Sequence, residues 1–186
     1  MTPAGVAALD ANVLVPIVAC DFLLTAFDHG LYEPVVSATV LDEVERTLLE
    51  DFPHLDPAAI RRRVSHMRAA LEDHIVDTAG TELGDAINAK DHHVVAAAIA
   101  GEAACLVTED ATLRREVAAS GHAIEPLGGD AFALRLWSAS PGDVDAVIRD
   151  LVAKRRRRPV TPVEMARQLG LHFPSMSAEW IAGQRS

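Results

Sequence analysis

Aromatic side chains are scarce: Phe, Tyr and Trp together make up 4% of the 186 residues. A core with so few rings must come from Ala, Val, Leu and Ile, which suits helices on a buried parallel sheet and weighs against an all-β sandwich. Cysteine is nearly absent too. Cys20 and Cys105 each lie in an apolar stretch, so a disulfide framework is excluded, no zinc site is spelled, and both read as small buried hydrophobes of a reducing compartment. No Lys or Arg precedes Arg46, so the basic region of a secretory leader is missing, and the apolar stretch 11–20 is too short to span a bilayer. A cytoplasmic location is the expectation. Solenoid-period repeats, low-complexity tracts and a Gly-x-Ser-x-Gly elbow are also missing.

What is present is ordinary globular material, 49% apolar and 24% charged, in a length that suits one domain or one domain with a small appendage. Charge is unevenly placed. The formal total is -10, yet residues 141–186 hold eight basic and five acidic side chains, a balance of +3, which leaves nine against 22, or -13, for residues 1–140. An acidic body repels nucleic acid at long range unless cations mask its carboxylates or basic groups gather on one face, so bulk charge alone does not select a function.

Along the chain, Val6–Leu9 reads as a buried strand that delivers Asp10 at its C-terminal end, followed by a helix over 13–28 that stops at His29-Gly30. Val35-Val36 is strand-like, and Ser37 is placed to cap a helix from Ala38 to about Glu50 whose apolar stripe is Val40, Leu41, Val44 and Leu48. Asp56-Pro57 opens a helix to about Asp73, with Arg61, Arg62 and Arg63 read as an exposed face. A short strand, Ile75-Val76, leads into a polar segment over 77–90. Asp91 precedes an alanine-rich helix, Val94 to Ala100. Ala104 to Val107 is a second central strand ending in Thr108-Glu109-Asp110, followed by a helix from Ala111 to Ser120 and a last strand at Ala123-Ile124. The alternation predicts a three-layer α/β/α domain with a central parallel sheet over 1–140. Ser140-Pro141-Gly142-Asp143 marks a boundary. Residues 141–186 then form a basic helical extension, with helices to about Ala153, from Thr161-Pro162 to Leu169, and from Ser177.

In open parallel sheets the site lies beyond the carboxyl ends of the strands, where Asp10 and Asp110 both fall. Asp91 heads a helix, and Glu43 lies on a helix able to overhang the same crevice. Taken singly, Asp10 is an ordinary strand-end acid, Asp91 a helix cap and Glu43 part of a solvated acidic face. Together in one cleft they would repel by about 4 kcal/mol per close pair, at a dielectric of 20 and 4 Å. Such a cluster calls for a divalent cation, and all-oxygen donors favour magnesium or manganese over zinc. His92 and His93 point about 100° apart on a helix and cannot both face one ion. They read as partly exposed helix residues, and Trp137 and Trp180 as packing residues.

The strings Leu9-Asp10-Ala11-Asn12-Val13-Leu14, Leu41-Asp42-Glu43-Val44, Asp91-His92-His93-Val94-Val95-Ala96-Ala97-Ala98 and Val107-Thr108-Glu109-Asp110, in this order, resemble the PIN-domain nucleases. Among these they are most similar to the VapC-like toxins of type II toxin-antitoxin pairs, over about residues 6–126. The resemblance implies that Asp10, Glu43, Asp91 and Asp110 hold Mg2+ or Mn2+, with Asn12 and Thr108 as supporting polar groups. It implies hydrolysis of RNA phosphodiesters without a protein nucleophile, a VapB-like antitoxin that covers the cleft, and a homodimer. It leaves residues 141–186 open: the run Lys154, Arg155, Arg156, Arg157, Arg158 is a candidate contact for RNA or the antitoxin, or keeps a helix end soluble. Two other functions are carried alongside. A haloacid-dehalogenase-like phosphohydrolase would use Asp10 as nucleophile, but its second acid is replaced by Asn12. A non-catalytic PIN-like binding module would be expected to lack one of the four acids.

Overall fold

A computed structural model describes residues 2–81, 83 and 87–184. The chain divides into two units, one of Val6–Val15 and Pro34–Leu127, the other of Met1–Gly5, Pro16–Glu33 and Gly128–Ser186. The strands are β1 (Val6–Leu9), β2 (Glu33–Ser37), β3 (Ile75–Val76), β4 (Cys105–Val107) and β5 (Glu125–Leu127). The helices are α1 (Ala11–Leu14), α2 (Ile17–Asp28), α3 (Ala38–Asp51), α4 (Pro57–Ala70), α5 (His92–Ala100), α6 (Ala111–Ala119), α7 (Gly129–Ala139), α8 (Pro141–Lys154), α9 (Pro162–Leu169) and α10 (Pro174–Gly183).

The first unit is built on a five-stranded parallel sheet in the order β3-β2-β1-β4-β5. β1 and β4 are its central strands, and Ala7, Ala8, Leu9, Cys105, Leu106 and Val107 are all at most 1% exposed, as expected of strands covered on both faces. Their register pairs Leu9 with Val107, so the two strands end level and the residues that follow, Asp10 and Thr108, emerge side by side. The order reverses between β1 and β4, and that reversal is where an open parallel sheet leaves a crevice. The apolar stripe of α3 is buried as its spacing predicts, and Ser37 accepts the N–H of Val40 at 3.3 Å. α5 ends at Gly101, where a Cβ would stand 2.5 Å from Val35 Cγ1, so only glycine lets the end of this helix approach β2 so closely.

Several boundaries differ from the sequence reading, each for a local reason. The expected helix over 13–28 is broken at Pro16, whose missing N–H and extended ψ of 121° start α2 afresh at Ile17. β5 runs through Glu125–Leu127 rather than Ala123-Ile124; Pro126 is tolerated because β5 is an edge strand. α4 stops at Ala70, and a 3-10 turn, Glu72–His74, takes over. Arg63 is not part of an exposed basic face: its guanidinium donates to the carbonyls of Leu14 (2.8 Å) and Val15 (3.0 Å) at the C-terminal end of α1. Within the polar segment 77–90, residues 82 and 84–86 lie outside the described residues.

The second unit is helical. Its apolar interior carries the rings of Phe22 and Phe173, 5.3 Å apart, and of Tyr32 and Phe132, edge to face at 5.0 Å. Trp180 is fully buried and donates its indole N–H to Asp145 at 3.1 Å. α10 starts at Pro174, a favoured first-turn proline, rather than at Ser177, and α7 is a helix the sequence reading did not single out. At the end of α8, Lys154 reaches Asp150 (3.1 Å) and Thr25 (3.2 Å), and Arg155 lies 3.6 Å from Asp21. Arg156, Arg157 and Arg158 are exposed. Among the described residues no helix is long and apolar enough to cross a membrane.

Candidate active site

Asp10 leaves β1 as a buried carboxylate, 7% exposed. Its Oδ1 accepts the N–H of Ala11 at 2.7 Å, which caps α1, and its Oδ2 accepts from Asn12 Nδ2 (2.7 Å) and Thr108 Oγ1 (2.6 Å). Thr108 is fully buried and joins three segments: besides donating to Asp10, its hydroxyl accepts from Asn12 Nδ2 and from the N–H of Asp110, both at 3.0 Å. Asn12 closes the ring by accepting the N–H of Glu109 at 3.0 Å. Asn12 and Thr108 are polar braces that lock the start of α1 to the end of β4. Burial pushes the Asp10 carboxyl above its ordinary value against the pull of Thr108 and Ala11, and the nearby Glu43 charge adds to the rise.

Asp110 caps α6, its Oδ1 accepting from Thr112 N (2.7 Å) and Leu113 N (3.1 Å), while Oδ2 turns the other way to within 3.5 Å of Lys90 Nζ. Those backbone donors, Leu113 first, hold its pKa below the ordinary value. Asp91 stands opposite. It ends a 3-10 turn, Ala89–Asp91, that leads into α5, and its side chain makes no capping bond, so the helix-cap reading of this residue is set aside. Its Oδ2 lies 3.5 Å from the same Lys90 Nζ. Desolvation raises the Asp91 pKa, Lys90 opposes the rise, and Asp110 and Glu116 add to it.

Glu43 extends from α3. Its Oε2 accepts from His93 Nε2 at 2.9 Å and its Oε1 lies 3.4 Å from Arg46. His92 instead bonds the Ile87 carbonyl at 2.9 Å, so the two histidines do diverge, but His93 turns into the site rather than out of it. The structure thus arranges the predicted acids as linked groups: Glu43 and Asp10 within electrostatic reach, Asp10 tied to Asp110 through Thr108, and Asp110 facing Asp91 across Lys90. Two participants escaped the sequence reading. His93 reads as a partly exposed helix residue in the sequence, and Lys90 lies just before the string that starts at Asp91, so nothing along the chain marks either for the site.

All four acids fall within residues 7–112, more than half of the chain, and this same stretch matches a family model of the PIN domain. The chain belongs to the PIN-domain family. Comparison with curated proteins and with solved structures gives no match. PIN domains are typically nucleases that use divalent metal ions. Among the described residues no three His, Cys, Asp or Glu side chains form a ready-made metal cage. The donors of this PIN domain nonetheless fit magnesium, which is commonly held by one or two carboxylates and completes its shell with water and substrate phosphate. Asp91 and Asp110 already converge on a single cationic nitrogen, the arrangement a hard cation would take over, and the buried Asp10 is linked through Thr108 to the backbone N–H of Asp110.

Proposed function

We propose that this PIN domain is a metal-dependent endoribonuclease and the toxin of a type II toxin-antitoxin pair. The observation that carries the catalytic reading is Asp91: a desolvated carboxylate with no capping bond, meeting Asp110 across a cation beyond the central strands. Asp91 and Asp110 would hold the Mg2+ or Mn2+, with Asp10 and Glu43 completing the negative field around it. A cation held there would supply a water of lowered pKa and offset the negative charge that develops during phosphodiester hydrolysis. The protein side is positioning: Thr108 and Asn12 fix Asp10, Thr112 and Leu113 fix Asp110, and His93 fixes Glu43. Nothing favours the phosphohydrolase reading, because Asn12, where a general acid would stand, is bonded through both ends of its amide.

RNA, a VapB-like antitoxin and a second copy of the chain are the partners this reading calls for. Three exposed arginines, Arg156, Arg157 and Arg158, are the part of the basic run left to meet RNA phosphates or an acidic antitoxin surface. The deciding experiment incubates the full chain with single-stranded RNA and DNA in Mg2+ or Mn2+. RNA cleavage should be lost, by about 100-fold or more, in Asp91→Asn, in Asp110→Asn and in excess chelator, with circular dichroism unchanged. Full activity in any of the three refutes a metal nuclease, and cleavage confined to DNA refutes the RNA assignment. The toxin role predicts growth arrest on expression, relieved by Asp91→Asn and by co-expressing a small neighbouring open reading frame. If the three arginines meet phosphates, changing them to Ser should flatten the salt slope of RNA binding by about 2; an unchanged slope removes that contact.

A further inference from the structure

Lys90 lies between Asp91 and Asp110, and no motif assigns it. Its Nζ is 3.5 Å from Asp91 Oδ2 and 3.5 Å from Asp110 Oδ2, so it is shared evenly. The backbone delivers it there. Lys90 sits in the middle of the 3-10 turn Ala89–Asp91, its N–H is held by Asn88 Oδ1 at 3.2 Å, and the Asn88 N–H donates to Glu116 Oε2 at 3.0 Å. That last bond ties the turn to α6, the helix that Asp110 caps. The Lys90 side chain is 61% exposed and Asp91 only 17%, so the ammonium closes the pair from the solvent side.

Two carboxylates facing one another need a counter-charge, and a single ammonium leaves the trio with a net charge of minus one. A divalent ion bound by the same oxygens would neutralise both, and it would repel an ammonium at that distance. The two cations therefore exclude each other. Lys90 has an advantage in being tethered, so its local concentration does not depend on solution conditions.

From this we infer that Lys90 is an internal counter-cation that holds Asp91 and Asp110 in the metal-free protein and must be displaced for a divalent ion to bind, which sets the metal concentration at which the enzyme becomes loaded. The inference rests on the metal-dependent reading above and concerns only how the metal gains the site.

Mn2+ binding to the full chain, measured by titration calorimetry without substrate, tests it. Lys90→Met should tighten the Mn2+ Kd at least fivefold, whereas Lys90→Arg should stay within twofold of the parent chain. Arg115→Gln removes a charge from the same helix, where Arg115 is engaged with Ala111 and Thr112 rather than with the carboxylates, and should also stay within twofold. Thermal unfolding gives a second readout: Lys90→Met should melt lower than the parent in chelator and level with it in saturating Mn2+. Unchanged or weaker Mn2+ binding by Lys90→Met overturns the counter-cation role alone. An equal gain in Arg115→Gln also overturns it, by assigning the effect to general charge. Absence of Mn2+ binding in every form overturns both this role and the metal reading.

Discussion

Replacing Thr108 with Val keeps the shape of a fully buried side chain and deletes one oxygen, which makes it the most direct probe of how the site is held together. Three bonds go with that oxygen: the 2.6 Å bond donated to the Asp10 carboxylate, and those accepted from Asn12 Nδ2 and Asp110 N at 3.0 Å each. A bond to a charged group contributes about 1.5–3 kcal/mol and an ordinary one about 1 kcal/mol. Asp10 keeps its donors from Ala11 and Asn12, so the lower figure applies to it, and the total comes to about 3.5 kcal/mol. For a chain of this size that lowers the melting temperature by roughly 7–14 °C. Thr108→Ser retains the oxygen and should lose about 1 kcal/mol or less. The loss should also depend on pH. Burial holds the folded pKa of Asp10 above the ordinary 3.8, so ionised Asp10 costs stability that is absent below that value and grows as pH rises through the folded pKa. The Thr108 bond offsets part of this cost by favouring the ionised form, and removing it raises the folded pKa further. The Val variant should therefore be most impaired at neutral pH, and in acid its deficit should shrink to about 2 kcal/mol, that of the two bonds accepted from Asn12 and Asp110 N, which do not depend on the charge of Asp10. Urea unfolding in chelator at several pH values measures this, and a loss below 1 kcal/mol at neutral pH, or one that grows on acidification, refutes the brace.

Gly101→Ala places a methyl group 2.5 Å from Val35 Cγ1 and 2.6 Å from Cγ2; overpacking of this kind should cost about 2 kcal/mol in urea unfolding, and a variant as stable as the parent would mean that α5 can shift off β2 freely. Arg63→Met removes both bonds to the end of α1 and should cost about 1–2 kcal/mol. Because α1 carries Asn12, catalysis should fall as well, and a nuclease rate equal to the parent's would show that this anchor does not reach the site.

The strand-carboxylate-helix pattern was legible in the amino-acid order because its causes are local. Val6–Leu9 and Cys105–Val107 are short uninterrupted apolar runs that suit only strands covered on both sides, and Ser37, Asp56 and Thr161 announce helices through bonds to their own neighbours. From these the order of elements, the parallel sheet and the placing of Asp10 and Asp110 beyond β1 and β4 all follow. Where local signals competed, the boundaries moved: Pro16 cut a helix that apolar content alone would have continued, and an edge position admitted Pro126 to a strand. What tertiary structure decided is which groups meet. Thr108 reaches Asp10 because the β1–β4 register sets Leu9 beside Val107, and His93 reaches Glu43 because α5 and α3 pack together, contacts 98 and 50 residues apart in sequence. Spacing along the chain carries no information about such pairs, since it sets the direction of a side chain on its own element and not the partner brought opposite. Asp91 shows the same division: its position at a helix start suggests a cap, and only the folded arrangement turns it away from the backbone toward Lys90 and Asp110.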